Sequence, residues 1–523
     1  MIIGNRGFPR SYRRLAVVAA ALVVVAGTSP TIAVAEDQPV RRGPDFNGDG
    51  FGDLAVGAPL DGGGFNIPGA VSVLYGSTRG TTVAGDQLWT QDVPGMPGEV
   101  GLDDSFGWSV ASGDFDDDGF DDLAIGVRND ILPGQMFVTV GSVAVLYGST
   151  DGLAVQRTQL WSQDSAGVQE QSEGGDLFGD AVAVADFDGD GFDDLVVGAS
   201  GEDSTGVVHL LFGAGGGLSA AGNQLLGPPP GSGEFQQLGA SLAVGDLDGD
   251  GLLDLAAGGA NGAGEPNWSG AVAVTYGTTT GLVGGRQELW SQASPGVPGH
   301  PEEFEQFGAD LAVDDFDGDG FDELAAGVLE SEHGLQDKGW VHVLRGSADG
   351  VVAAGAQVWR QDAKGVRGQP GAGHAFGAAL AAADLDRDGV ADLAVGVPGA
   401  AVGTRDIAAG AVTILYGSAV GLTADRDQLW SQQRRDIEGE PSVGDRFGAA
   451  VGTADTDGDG FPDLLVGVPG KSAAATRAGA VHVLSGGGSG VLPADDQEWN
   501  QALEGVDGLA EPEDQWGRVL ASH

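Results

Sequence analysis

Seven short segments of this 523-residue chain each set four oxygen-bearing side chains at positions 1, 3, 5 and 9 around a glycine at position 6. The first offers Asp45, Asn47, Asp49 and Asp53. The second has Asp114, Asp116, Asp118 and Asp122, and the third Asp186, Asp188, Asp190 and Asp194. The fourth has Asp246, Asp248, Asp250 and Asp254, and the fifth Asp315, Asp317, Asp319 and Glu323. The sixth carries Asp384, Asp386, Asp388 and Asp392, and the seventh Asp455, Asp457, Asp459 and Asp463. Glycine permits the sharp turn that lets these oxygens converge, and the main-chain carbonyl of position 7 can add a fifth. Those carbonyls belong to Phe51, Phe120, Phe192, Leu252, Phe321, Val390 and Phe461. An all-oxygen set of this density suits a hard cation, Ca²⁺ above all, since Mg²⁺ demands stricter octahedral geometry and more water. The expectation is up to seven structural Ca²⁺ ions. The bland alternative is an Asp-Gly turn without metal, but three or four unpaired carboxylates would repel one another strongly.

An EF-hand would need Glu at position 12 and flanking helices. Position 12 is Val56, Ile125, Val197, Ala257, Ala326, Val395 or Val466, and a strand-like run follows each loop. Three loops depart from the pattern. Asn47 keeps an oxygen donor without charge, Glu323 is longer by one methylene, and Arg387 at position 4 is expected to lower the affinity of its own loop.

The elements that must hold these loops repeat with them. The segments begin 69, 72, 60, 69, 69 and 71 residues apart. Each leads into an apolar run such as Leu54–Gly57, then an alternating run such as Ala70–Tyr75, then a Gly-marked turn (Gly80, Gly152, Gly217, Gly281, Gly350, Gly421, Gly490). A Gln-Leu-Trp-x-Gln segment follows, with Trp89, Trp161, Trp290, Trp359, Trp430 and Trp499, and Leu226 in the third repeat. A Phe-Gly pair stands eight residues before the next acidic loop, at Phe106, Phe178, Phe307, Phe376 and Phe447, with Leu238 in the third repeat. One period thus holds four short strands: A with Phe-Gly, B after the acidic loop, C, and D with the Trp. Four strands in about 68 residues make one propeller blade, and seven periods predict an all-β, seven-bladed propeller. The first repeat has no strand A before Asp45, whereas Trp516–Leu520 reads as one. The C-terminal strand is therefore expected to close the ring by completing the first blade.

Composition narrows the partners. Lys+Arg is 24 against Asp+Glu 76, a formal charge of −52, which disfavours nucleic acid and anionic membrane surfaces. Zero cysteines exclude disulfides and thiolate chemistry. Residues 1–14 carry Arg6, Arg10, Arg13 and Arg14 and no acid, an apolar run spans Leu15–Gly27, and Ala33-Val34-Ala35 has the small-x-small cleavage pattern. Residues 1–35 read as a signal peptide, 36–44 as a linker and 45–523 as the propeller. Removing four arginines and no acid takes the net charge from −52 to −56. The run is too short to span a bilayer, and no second one follows, so the mature chain is expected to be secreted or loosely held at the cell surface, without a membrane span.

The Phe-Gly pairs, the acidic loops and the endings Gly57-Ala58-Pro59, Gly396-Val397-Pro398 and Gly467-Val468-Pro469 resemble FG-GAP repeats, those of the integrin alpha-chain N-terminal propeller and of many secreted bacterial proteins. The resemblance covers 45–523. It implies a seven-bladed propeller with Ca²⁺ in the A–B loops, and a role in adhesion or ligand binding.

Catalytic motifs are missing from the sequence: there is no His-Glu-x-x-His, no Gly-x-Ser-x-Gly and no P-loop. His209, His342 and His482 fall at equivalent strand C positions, as structural residues do. Trp268 lies in an inter-strand loop and matches no other repeat, either exposed for a ligand or folded back as a plug. Antiparallel strands send the acidic loops and C–D turns to one face and the variable B–C and D–A loops to the other, where Trp268 and Arg128 are the first ligand candidates. The sequence therefore predicts a monomeric binding or adhesion module for an extracellular protein or glycan. Two alternatives stay open: a hydrolase or lyase with its site on the central face, and a purely structural wall or matrix protein.

Overall fold

A computed structural model describes residues 43–62, 68–101, 103–131, 138–232, 235–260, 266, 268–329, 338–402, 407–473, 475–492 and 496–521. The signal peptide read over 1–35 and most of the linker lie outside them.

Seven four-stranded antiparallel sheets follow one another, with strand order A-B-C-D in each. Blade 2 shows the unit: A is Phe106–Gly113, B Asp122–Val127, C Ser142–Tyr147 and D Ala154–Trp161. Its B and C strands are buried throughout, while D is half-buried with Gln156 and Arg157 exposed. Side chains of a strand alternate between faces, so each blade feeds two interfaces. In strand B, Leu123, Ile125 and Val127 pack into a core shared with blade 1, whereas Ala124 packs into the core shared with blade 3. These seven apolar cores between blades account for strands that are hydrophobic on both faces. Among the described residues the one helical segment is a single 3₁₀ turn, Glu202–Ser204.

The motif residues stitch the ring. The first Gln of the Gln-Leu-Trp-x-Gln segment in blades 1, 2, 5 and 6 reaches across to the C–D turn of the next blade: Gln87 Nε2 donates to Leu153 O, Gln159 to Leu218 O, Gln357 to Leu422 O and Gln428 to Val491 O, each at 3.0 Å. The Phe-Gly aromatics are fully buried. The glycine beside Phe106 has φ 84°, and a Cβ there would meet Ala70 O at 2.7 Å and Val71 Cγ2 at 2.8 Å, so a side chain would push blades 1 and 2 apart.

Closure follows the sequence reading. The C-terminal strand Val519–Leu520 is strand A of blade 1 and pairs with strand B, Leu520 opposite Val56 and Val519 opposite Gly57. Gln497 Nε2, from blade 7, donates to Thr81 O of blade 1 at 3.3 Å. The first blade is thus built from both ends of the propeller, which leaves no unpaired inner strand.

Candidate metal centres

Each acidic loop is shaped by its own main chain. In loop 1, Asp45 accepts the N–H of Asp49 on Oδ1 (3.0 Å) and that of Gly50 on Oδ2 (2.9 Å). Asp49 accepts Phe51 N at 3.1 Å. Asp53 holds the loop at both ends, accepting Phe46 N on Oδ2 (2.8 Å) and Gly76 N, from the C–D turn, on Oδ1 (2.9 Å). The same two bonds recur at Asp122, Asp194, Asp254, Asp392 and Asp463. Glu323 keeps the first of them, from Phe316 N at 2.9 Å, so its extra methylene is absorbed without losing the anchor.

The structure brings the expected ligands together. In loop 2 Asp114, Asp116 and Asp122 offer oxygens within 4.8 Å of one another. So do Asp186, Asp188 and Asp194 in loop 3, Asp246, Asp248 and Asp250 in loop 4, and Asp315, Asp317 and Glu323 in loop 5. Burial drives the position 9 carboxyls far above the usual carboxylate range. Asp53, Asp122, Asp392 and Glu323 are pushed up to about 8, and Asp194, Asp254 and Asp463 to about 7. The neighbouring loop carboxylates push the same way, against the backbone N–H groups. Several buried oxygens find no hydrogen-bond partner: Asp116 Oδ1, Asp248 Oδ1, Asp317 Oδ1, Asp386 Oδ1, Asp455 Oδ1 and Glu323 Oε1. Orphaned oxygens amid crowded negative charge fit a hard divalent cation, which would be held by these carboxylates.

Position 7 contributes more than a carbonyl. The ring of Phe120 lies where a Cβ on Gly48 would stand (2.7 Å), and Phe51 lies likewise on Gly458 and Phe321 on Gly249. Loops 1, 2 and 5 therefore lean on the loop of the preceding blade. Position 8, which the sequence reading passed over, completes this contact: Asp121 Oδ2 accepts Asp45 N at 2.7 Å, Asp193 accepts Asp114 N at 2.9 Å and Asp322 accepts Asp246 N at 2.7 Å. The doubled Asp at the end of these loops was the available signal.

Arg387 reaches toward the next blade. Its guanidinium lies 5.6 Å from the Phe461 ring in blade 7. The arginine that meets Asp386 is Arg426, from strand D, at 2.9 Å.

Seven stretches, 43–74, 106–146, 178–211, 238–275, 307–344, 376–415 and 447–484, match the FG-GAP repeat profile. The chain is an FG-GAP repeat protein. It is homologous to integrin alpha chains: it is 31% identical to integrin alpha-PS2 of Drosophila melanogaster over 237 residues, 44% of this chain and 15% of that one. It is 30% identical to integrin alpha pat-2 of Caenorhabditis elegans over 248 residues, 44% of this chain and 18% of that one. It is also 32% identical to phosphatidylinositol-glycan-specific phospholipase D of Bos taurus over 211 residues, 39% of this chain and 24% of that protein. The FG-GAP protein thus spans a quarter or less of the curated relatives it matches. The matched stretches carry the acidic loop and strands B and C, six of them with strand A before the loop, and leave strand D outside.

On the face opposite the acidic loops, the second Gln of the Trp motif enters a polar node between blades. Gln163 Nε2 donates to Glu202 Oε2 at 2.6 Å, and Gln361 Oε1 lies 2.7 Å from His374 Nδ1. At the equivalent of Lys471, which donates to Glu440 O at 2.7 Å and pairs with Asp445 at 3.4 Å, blade 1 has Asp61, beside Glu511, Asp514 and Gln501. Of the two ligand candidates, Trp268 is 39% exposed. Arg128 is already engaged, with Asp180 at 2.5 Å and over the Trp108 ring at 4.5 Å. His209 and His342 are fully buried edge-on against Phe178 and Phe307, in keeping with a packing position. Among the described residues no helix is long and apolar enough to cross a membrane.

Proposed function

We propose that this FG-GAP protein is a secreted, Ca²⁺-loaded propeller that binds an extracellular protein or glycan. The observation that carries this reading is the division of labour between its faces. One face repeats the same acidic loop with the same anchoring bond to the position 9 carboxylate in every blade. The other collects the segments that differ from blade to blade, on a rigid scaffold where specificity can be built. The Ca²⁺ ions are structural here, held by the position 1, 3, 5 and 9 side chains and the position 7 carbonyls, and stand apart from the ligand surface. Residues 1–35 serve as the export signal, and the mature chain works as a monomer.

The relatives support a binding role in two chemistries. The integrin alpha chains favour a protein partner, and the phospholipase names a glycan-bearing substrate. The testing experiment is a protein and glycan array probed with the full chain in Ca²⁺ and in chelator. Ligand capture in Ca²⁺ that is lost on chelation is the expected result. Turnover of a glycan, ester or phosphodiester panel without stable capture would favour the hydrolase or lyase alternative, and neither capture nor turnover the matrix one.

A further inference from the structure

Among the described residues, four acidic loops carry an arginine on the position 3 carboxylate. Arg157 Nη2 meets Asp116 Oδ2, Arg426 Nη1 meets Asp386 Oδ2 at 2.9 Å, Arg286 Nη2 approaches Asp248 Oδ2 to 3.8 Å, and Arg345 Nη2 meets Asp317 Oδ2. The guanidinium arrives by two routes. In blades 2, 4 and 6 it comes from the position four residues before the Trp, in strand D of blades 2 and 6 and just ahead of it in blade 4, and stacks on the tyrosine at the end of strand C: Arg157 on Tyr147 (4.7 Å), Arg286 on Tyr276 (3.9 Å) and Arg426 on Tyr416 (4.7 Å). In blade 5 the strand C tyrosine is itself replaced by Arg345, and strand D has Gly355, where a Cβ would strike Arg345 Cδ at 2.8 Å. Two unrelated backbone positions thus deliver the same charge to the same carboxylate.

In blades 2 and 6 the strand D route works against the backbone. Arg157 and Arg426 sit at φ 78° and 68°, where blades 1, 3 and 5 have Gly85, Gly222 and Gly355 at φ 84°, 81° and 88°. A long side chain in the left-handed region is disfavoured by the clash of its Cβ with the backbone, so what is retained there is the guanidinium.

The carboxylate responds. In loops 1, 3 and 7 the position 3 oxygen accepts the N–H of position 5: Asp49 N to Asn47 at 2.9 Å, Asp190 N to Asp188 at 3.2 Å and Asp459 N to Asp457 at 3.0 Å. In the four arginine loops one oxygen faces the arginine, which in loop 4 is shared with Glu288 at 3.0 Å, and the other, Asp116, Asp248, Asp317 or Asp386 Oδ1, is buried without a partner.

We infer that Arg157, Arg286, Arg345 and Arg426 are resident counter-cations that split the seven loops into two classes of Ca²⁺ site. In loops 2, 4, 5 and 6 the guanidinium keeps the loop assembled without the ion and weakens ion binding by cancelling one ligand charge. Loop 3, with all four carboxylates and no arginine, depends on the ion and binds it more tightly. This rests on the reading of the loops as Ca²⁺ sites.

Calorimetric titration of the full chain with Ca²⁺ tests it. The wild type is expected to resolve two classes, with the arginine loops in the weaker one. Gly222→Arg is expected to weaken the loop 3 site on the order of tenfold, as one added charge in partly screened surroundings would. Arg157→Gln is expected to tighten the loop 2 site by a similar factor and to lower the melting temperature in chelator, where that loop loses its only cation. The two substitutions lie in different blades, so one failing to fold leaves the other to decide. A single class of sites that neither substitution divides overturns the proposal and leaves the Ca²⁺ reading standing. No heat with Ca²⁺ overturns both.

Discussion

Trp516 donates its indole N–H to Ser72 Oγ across 2.9 Å, a buried bond between positions 444 residues apart. Trp516 occupies the Phe-Gly site of blade 1 and is fully buried. The serine faces it at the position that carries His209, His342 and His482 in other blades, so the larger ring is matched by a smaller neighbour with an acceptor. Deleting 516–523 removes this contact and the pairing of Leu520 with Val56. It touches no metal ligand, yet loss of stability and aggregation through the bared strand B are the expected outcome. Trp516→Ala should cost about 3–5 kcal/mol, and Ser72→Ala about 1–3 kcal/mol through the orphaned indole N–H. Denaturant melts and size-exclusion chromatography check all three; a monomeric truncation with an unchanged melt would refute closure by this strand.

A pH effect follows at the same seam. Burial pushes the Asp514 carboxyl up to about 7 from 3.8, and Asp61 to about 6; Glu511 adds negative charge beside both. Because the folded values lie above the unfolded ones, folding takes up protons between about pH 4 and 7. Stability from these groups is fully present below about pH 4 and is lost as the pH rises through 7. Asp514→Asn is therefore expected to raise the melting temperature at pH 8 and leave it nearly unchanged at pH 4, at fixed Ca²⁺. Thermal denaturation at the two pH values checks the sign; equal shifts at both would contradict it.

The assignment of faces gives a third expectation. Once a ligand is in hand, Trp268→Ala should lower affinity, since its exposed ring stands on the variable face. Asp190→Ala in loop 3 should lower stability while leaving affinity intact in the protein that remains folded. Affinity and melting curves measured on both variants check this; the reverse pattern would place the ligand on the acidic-loop face.

The repeat made the fold legible. Strand B reads Leu-Ala-Ile-Gly-Val after Asp122 because both of its faces are buried, and seven such runs at a steady period leave few architectures. The seven acidic loops were legible for the same reason, their ligands being fixed by spacing within nine residues. What stayed hidden depends on contacts between segments distant in sequence. Asp121 reads as a surplus acid until blade 2 is set beside Asp45. Arg387 stands inside a loop and reaches toward the next blade, whereas Arg426, in a strand read only for its Trp, turns toward Asp386. A left-handed φ at Arg157 and Arg426 aims those side chains, and no local pattern announces that conformation for arginine.

The central claim is that the acidic loops hold Ca²⁺ as part of the folded structure, and differential scanning calorimetry of the full chain in Ca²⁺ and in excess chelator tests it most directly. An ion that binds the folded loops and not the unfolded chain stabilises by about 2.7 kcal/mol per site at a hundredfold excess over its dissociation constant. A melting temperature raised by many degrees in Ca²⁺, and rising further with its concentration, is the expected result. The same transition at the same temperature in chelator would contradict it.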